Sequence, residues 1–317
     1  MILPSLENIK EAHRRIKSYV HRTPVMTSTQ INRISGAEIF FKCENFQKVG
    51  AFKFRGAMNA VLLLKEENVR EVITHSSGNH AAALALAAKM AGMKAYVVMP
   101  RTAPSVKINA VRDYGAEITF CEPTQKAREE ATGILMEKTG ARLVHPYDNF
   151  NVICGQGTAA VELLEEAGEL DILIAPVGGG GLLSGTSTAA KGLKSNIKVF
   201  GAEPRNADDA YRSFTTGILH PSVSPKTIAD GLLTSLSELT FAIIRKNVDN
   251  IFTVSEESII EAMRLIWERM KIIVEPSSAV TLAVVMENPD VFRGKKTGII
   301  LSGGNVELSE LPFNQLS

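Results

Sequence analysis

The sequence predicts an α/β protein made of two open, mainly parallel sheets with a ligand cleft between them. Three observations carry this. Short β-rich runs alternate with helical stretches, the βαβ rhythm of parallel sheets covered on both faces. A first set of such runs is followed by a second, enough for two sheets. The motifs SSGNH, GGGG and SGGN each follow directly on a strand, where open α/β sheets bind ligands.

In chain order, the first strands are expected at Glu38 to Cys43, Glu71 to Ser76, Ala95 to Pro100, Glu117 to Cys121 and Arg142 to Pro146. Helices are expected at Asn79 to Ala91, which is alanine-rich, and Thr124 to Thr139, and an amphipathic helix directly after Lys53. The second set of strands is Asp171 to Val177, Ile197 to Glu203, Asn250 to Ser255 and Thr297 to Gly303. No repeat, low-complexity tract or obvious linker interrupts the pattern, and the boundary between the halves is placed near Tyr147 to Gly155.

The 317 residues suffice for two domains, and 45% apolar content is that of a globular protein. With 35 Lys and Arg against 34 Asp and Glu the net charge is +1, which gives no footprint for nucleic acid or an anionic membrane. Small molecules and copies of itself are the partners expected. Cys43, Cys121 and Cys154 are odd in number and far apart, without metal-ligand spacing, which suits a reducing cytoplasm. The N-terminal segment lacks a long apolar core and no run of 18 apolar residues occurs, so neither an export signal nor a membrane span is expected.

The chemistry concentrates in a few segments. In NFQKVGAFKFRGA, Asn45 to Ala57, Lys53 lies between Phe52 and Phe54. An ammonium framed by apolar groups loses hydration, its pKa falls, and the neutral amine becomes a nucleophile. A snorkelling surface lysine is the plainer reading of those residues alone. Gly178, Gly179, Gly180 and Gly181 stand between a buried strand and a helix, where N–H groups without neighbouring Cβ atoms can converge on a phosphate. A tight turn is the alternative. No GxxxxGK[ST] occurs and Ser184 stands where GxGxxG needs its third glycine, so a dinucleotide or nucleoside triphosphate is disfavoured there. A monophosphate cofactor that also needs a lysine is pyridoxal phosphate, which links the four glycines to Lys53.

The loop His75 to His80 opens the alanine-rich helix. Ser76, Ser77, Asn79 and His80 there suit a carboxylate and a cofactor oxygen together, although each alone could be a helix cap. Leu301-Ser302-Gly303-Gly304-Asn305 repeats the pattern of strand, hydroxyl and glycines, or is an ordinary turn. Glu203-Pro204-Arg205-Asn206-Ala207-Asp208-Asp209 places carboxylates six apart, a hard-cation pattern, with helix capping by Asp208 or Asp209 as its rival.

Taken together, NFQKVGAFKFRGA, SSGNH, PVGGGGLLSG, the GQGT at Gly155 to Thr158, and LSGGN resemble, in order and spacing over nearly the whole chain, the fold type II pyridoxal-phosphate enzymes of the serine racemase and serine/threonine dehydratase branch. The resemblance implies a tryptophan synthase β-like fold, with residues 1–65 plus 149–317 as the large cofactor-binding domain and 66–148 as a small mobile domain. It implies that Lys53 holds the cofactor covalently, Phe52 flanks its ring, Asn79 bonds its phenolic oxygen, Gly178 to Gly181 bind its phosphate and Ser302 faces its pyridine nitrogen. Ser77 then corresponds to the second acid/base of serine racemases, where many threonine dehydratases read SAGNH. Ser76, Ser77, Asn79, His80 and Arg128 fall on the substrate side, though Arg128 on its own reads as an exposed helix residue. Metal-activated racemases show a similar EPxNADD, implying Glu203, the Ala207 carbonyl and Asp209 as ligands of Mg²⁺ or Ca²⁺.

The chain departs from the vertebrate pattern at Arg205, in place of a small polar residue, and at Tyr147, in place of asparagine. The activity implied is serine racemisation with accompanying dehydration of L-serine and L-threonine to a 2-oxoacid and ammonia. The alternative is a threonine or L-threo-3-hydroxyaspartate dehydratase without significant racemisation. A cytoplasmic homodimer is implied by analogy. Competing classes are a nicotinamide-dependent oxidoreductase, disfavoured by the missing GxGxxG, a β-replacement enzyme, and a non-catalytic amino-acid sensor.

Overall fold

The structure is a computed structural model that describes residues 1–103 and 105–315. In chain order its strands are β1 (Val25–Met26), β2 (Glu38–Cys43), β3 (Glu71–His75), β4 (Lys94–Pro100), β5 (Glu117–Cys121), β6 (Arg142–Leu143), β7 (Ile172–Pro176), β8 (Lys198–Pro204), β9 (Asn250–Val254) and β10 (Lys296–Leu301). The helices are α1 (Leu6–Ile16), α2 (Thr29–Ser35), α3 (Lys53–Glu66), α4 (Asn79–Ala91), α5 (Ser105–Asp113), α6 (Gln125–Thr139), α7 (Phe150–Ala167), α8 (Gly181–Leu193), α9 (Asp209–Thr216), α10 (Glu238–Asn247), α11 (Glu256–Met270), α12 (Pro276–Glu287) and α13 (Pro289–Phe292).

The expected α/β architecture is present. Among the described residues, six strands form one sheet in the order β1-β2-β10-β7-β8-β9 and four form another in the order β5-β4-β3-β6. Every pairing is parallel except β1 with β2. In the six-stranded sheet the central strand β7 is buried along its whole length, because helices cover both faces. One face carries a core of Ile39, Phe41, Ile174, Met263, Leu282 and Phe292. The other buries Ile9, Leu163, Leu173, Leu183 and Ile300 against α1, α7 and α8. The smaller sheet packs α4 on one face and α6 on the other.

Two expectations need correction. The strand expected over residues 142–146 ends at Leu143, because His145 Nδ1 accepts the N–H groups of Tyr147 and Asp148 at 3.4 and 2.9 Å and turns the chain out of the ladder. The helix after Lys53 is not amphipathic over its first half: Phe54 to Val61 are all buried, since α3 packs against α4 and α7 at once. The GQGT motif lies inside α7. A Cβ at Gly155 would lie 2.6 Å from the Arg55 carbonyl oxygen, and one at Gly185 would lie 2.5 Å from the Gly157 nitrogen. Those glycines let α3, α7 and α8 touch backbone to backbone.

Candidate active site

Lys53 is the first residue of α3, and its seat is held from both sides. The Phe52 N–H donates to the Ser302 carbonyl at 2.9 Å, which ties the helix start to the SGGN turn. Two residues on, Arg55 is fully buried and grips Glu44 and Glu162, each with two bonds of 2.7 to 2.8 Å. Lys42 reaches Glu162 at 2.7 Å, so two cations and two carboxylates balance in the interior. The Lys53 amine donates to the Pro146 carbonyl at 3.0 Å and lies 5.1 Å from the centre of the Phe52 ring. Burial lowers its pKa from 10.5 to about 8, against the opposing charge of Glu275. The amine is therefore close to the point where its neutral form is accessible at cellular pH.

The imidazoles around Lys53 are neutral. Burial and the Lys53 charge push His80 down to about 3, and burial with His75 pushes His145 to about 4. His75, His145 and Tyr147 stack edge to face, with centroids 5.3 and 4.7 Å apart. This column ends on the four glycines.

Gly180 adopts a left-handed φ of +83° that turns β7 into α8, with no side chain capping the helix. A Cβ at Gly179 would overlap the Tyr147 ring, and one at Gly178 would sit 2.9 Å from the Leu232 Cα. Among the described residues no backbone carbonyl accepts from the N–H groups of Gly178 to Gly181. Free N–H groups at a helix start, in a cradle that side chains would fill, fit a phosphate. With a lysine of lowered pKa beside it, the donor set suits pyridoxal phosphate.

The SSGNH loop runs from the end of β3 into α4. Ser76 and Ser77 are half-buried, and the Ser76 hydroxyl accepts from the Gly78 N–H at 3.3 Å. Asn79 starts α4, and its Nδ2 donates to both carboxylate oxygens of Glu275, at 3.1 and 3.2 Å. Ser302 is buried, 3.0 Å from the Ser278 hydroxyl, and neighbouring Gly303 carries the bond to Glu275 N. Thus Lys53, Phe52, Asn79 and Ser302 are linked through one short chain of contacts. His80 is buried, with Nε2 on the Val144 carbonyl at 2.9 Å and Nδ1 unpartnered among the described residues. Arg128 is half-buried on α6 with its Nε likewise unpartnered.

The Glu203 to Asp209 segment stands apart, at the end of β8. Glu203 and Asp209 are buried, and Glu203 accepts from the Ala210 and Tyr211 N–H groups at 3.0 and 2.8 Å. The helix start is thereby capped by Glu203, while Asp208, in the N-cap position, makes no side-chain cap bond; the capping expected of Asp208 or Asp209 is replaced by this carboxylate. Both Asp209 oxygens lack a hydrogen-bond partner among the described residues. Burial and the Asp209 charge raise Glu203 well above the usual carboxylate range, and burial raises Asp209 to about 6. A buried carboxylate with both oxygens unpartnered among the described residues, crowded by a second, suits a hard cation. Among the described residues no cluster of three or more His, Cys, Asp or Glu side chains gathers into a metal centre. Arg205 points outward, 3.7 Å from Glu287, and leaves these carboxylates alone.

Sequence reasoning passed over Glu275, Arg55 and the contact of Tyr147 with the glycines. Glu275 left one signal: a carboxylate directly before proline at a helix start.

Comparison with known proteins agrees with this geometry. The pyridoxal-phosphate dependent enzyme family matches residues 16–303. Serine racemase of Dictyostelium discoideum is 54% identical over 316 residues, covering 98% of each chain. The β-hydroxyaspartate dehydratase of Paracoccus denitrificans is 49% identical, covering 99% of this chain and all of that one. The structure of maize serine racemase superposes with a TM-score of 0.95 at 44% identity, covering 99% and 97%. The chain belongs to the pyridoxal-phosphate dependent enzyme family.

Proposed function

We propose that this family member is a serine racemase that also dehydrates L-serine and L-threonine. Bound pyridoxal phosphate supplies an electron sink that acidifies the substrate Cα–H. Lys53 would hold the cofactor, and its free amine would take the α-proton of the substrate as general base. Asn79 would donate to the cofactor's phenolic oxygen, Phe52 would flank the ring and the four glycines would take the phosphate. Ser302 faces the pyridine nitrogen with a neutral hydroxyl, not a carboxylate, which keeps the sink weak. Ser77 returns a proton to the opposite face for racemisation; expulsion of the β-hydroxyl instead leads to a 2-oxoacid and ammonia. Ser76 and His80 shape the substrate side. The observation that carries the reading is the Lys53 amine, its pKa lowered to about 8, beside a glycine cradle with free N–H groups.

Chiral analysis of serine alongside a 2-oxoacid assay tests it. In Ser77→Ala, racemisation is lost while L-serine dehydration continues. If both fall together, the two-base assignment is wrong.

A second reading is an L-threo-3-hydroxyaspartate dehydratase. The unpartnered Arg128 Nε favours it, since a second substrate carboxylate would supply that partner. A panel of serine, threonine and 3-hydroxyaspartate separates the two. Glu203, the Ala207 carbonyl and Asp209 would hold Mg²⁺ or Ca²⁺ as a structural activator. The cysteines, all free and buried, suit a cytoplasmic setting. A homodimer is the expected assembly, by analogy with the family.

A further inference from the structure

Glu275 is the one buried carboxylate whose charge acts directly on Lys53, and the chemistry above gives it no task. It precedes Pro276 at the start of α12, and its own N–H donates to the Gly303 carbonyl at 3.0 Å. Gly303 has to lack a side chain there, because a Cβ would lie 2.7 Å from Glu275 Oε1. The carboxylate is therefore pressed into the turn that follows Ser302.

Its partners are an amide relay. Asn305 Nδ2 donates to the Val49 carbonyl at 2.8 Å, and a backbone carbonyl can only accept, so the Asn305 amide has one orientation. The same Nδ2 donates to Asn79 Oδ1 at 2.9 Å. At its other end Asn79 Nδ2 donates to Glu275 Oε1 and Oε2, and the Asn305 backbone N–H donates to Oε2 at 3.3 Å. Asn79 is thus held at both ends by groups whose polarity is fixed. One amide hydrogen serves both carboxylate oxygens, and the second is left for the cleft.

We propose that Glu275 is a positioning residue: together with Asn305, its carboxylate holds the Asn79 amide so that it presents an N–H, and not its carbonyl oxygen, to the phenolic oxygen of pyridoxal phosphate. The inference rests on the reading of Asn79 as the partner of that oxygen. A carboxylate can only accept from the Asn79 Nδ2, whereas a protonated carboxyl or a glutamine side chain can also donate; that restraint is then given up and Asn305 Nδ2 on Oδ1 is left as the one hold on the amide.

The same geometry makes the device sensitive to pH. The charged groups acting on Glu275 are Asp230, Lys107 on α5 and, from α3, Lys53. Burial first and Asp230 second raise Glu275 from 4.5 to about 7, while the bond from Asn79, the Lys107 charge and the Asn305 N–H lower it. Above that value the carboxylate is ionised and the Asn79 amide is locked. Below it, the hold from Glu275 weakens and Asn305 remains.

The test uses holoenzyme of wild type, Glu275→Gln, Asn79→Ala and the double variant, read by the visible absorption of the bound cofactor between pH 6 and 9 and by kcat and KM for L-serine. Glu275→Gln is expected to shift the absorption band, abolish its titration near neutral pH and lower kcat about tenfold with KM changed less than about twofold. In the Asn79→Ala background the same substitution should leave the absorption band unmoved, since the amide through which Glu275 reaches the phenolic oxygen is gone. Full additivity of the two band shifts would overturn the proposal, as would an unmoved band in Glu275→Gln where Asn79→Ala moves it. If Asn79→Ala itself leaves the band unmoved, the Asn79 reading is what fails. Should Glu275→Gln not accumulate, Glu275→Asp keeps the acceptor but draws it back by one methylene. It should give an intermediate band shift, and an unmoved band there would count equally against the proposal. A further readout needs no turnover. In cofactor-free protein the apparent pKa for incorporation of pyridoxal phosphate at Lys53 should move down in Glu275→Gln, because the charge that raises Lys53 is gone; an unchanged value would contradict the contact.

Discussion

Replacing Arg55 by alanine should cost this protein a large part of its stability. Arg55 places Nε and Nη2 on Glu44 at 2.7 and 2.8 Å, and Nη1 and Nη2 on Glu162 at 2.8 and 2.8 Å. All three side chains are within 3% of complete burial. Together with Lys42 they sum to zero charge. Without Arg55 one negative charge is left uncompensated: Glu44 keeps the Thr23 hydroxyl at 2.5 Å and Glu162 keeps Lys42 at 2.7 Å. Breaking a buried pair by removing one partner costs about 3–5 kcal/mol, a sizeable share of the roughly 5–15 kcal/mol by which folded proteins are stable. The assay is urea unfolding of cofactor-saturated protein, followed by circular dichroism, with a lowered midpoint and an unchanged slope. Arg55→Ala combined with Glu44→Gln restores neutrality and should recover about 1–2 kcal/mol of the loss. A loss below about 1 kcal/mol in the single variant would refute the reasoning, because the cavity alone should cost that much. The sign with pH follows from Glu162, whose pKa lies below the usual value of 4.5 because the bonds and charge of Arg55 and then Lys42 outweigh its burial. Its contribution is present above pH 4.5 and disappears as pH falls through the depressed value, so wild type should weaken in acid more steeply than Arg55→Ala.

Gly179→Ala sets a methyl group into the Tyr147 ring and into the phosphate cradle, so fluorescence titration should show cofactor affinity falling at least about tenfold. Tyr147→Ala in the same protein should relieve the overlap and restore part of the affinity. Incorporation of pyridoxal phosphate into cofactor-free protein should rise with pH around a midpoint of about 8, since the neutral Lys53 amine is the reactive form above its lowered pKa; a flat profile would mean that the amine is not limiting. Chelator treatment should lower the thermal midpoint and Mg²⁺ or Ca²⁺ should raise it again, in proportion to ligand concentration, because a cation bound only to the native state stabilises it. Asp209→Ala should lose that response, and a wild type indifferent to both ions would leave Glu203 and Asp209 as structural acids.

The α/β alternation was readable because a strand buried on both faces needs a continuous apolar run, and EIFFKC is nearly such a run; β2 occupies that same Glu38–Cys43 span. Arg142 to Pro146, also expected as a strand, yields two strand residues, since a hydrogen bond from a backbone N–H to the His145 ring turns the chain away from the ladder and composition is blind to that choice. Motifs were readable when their parts are adjacent in sequence, as in the four glycines. What escaped is built from residues far apart: Glu44 and Arg55 meet Glu162 more than a hundred positions on, and Glu275 meets Asn79 across 196. A buried carboxylate gives no local sign of burial, because the charge that compensates it is supplied by another element. The GQGT stretch illustrates the converse. It carried the family resemblance, yet its glycines serve backbone contact between α3, α7 and α8, which fixes the direction in which α3 delivers Lys53. Resemblance can therefore rest on packing as much as on chemistry, and only the distances 2.5 to 2.6 Å from an added Cβ to neighbouring backbone say which of the two a given glycine serves.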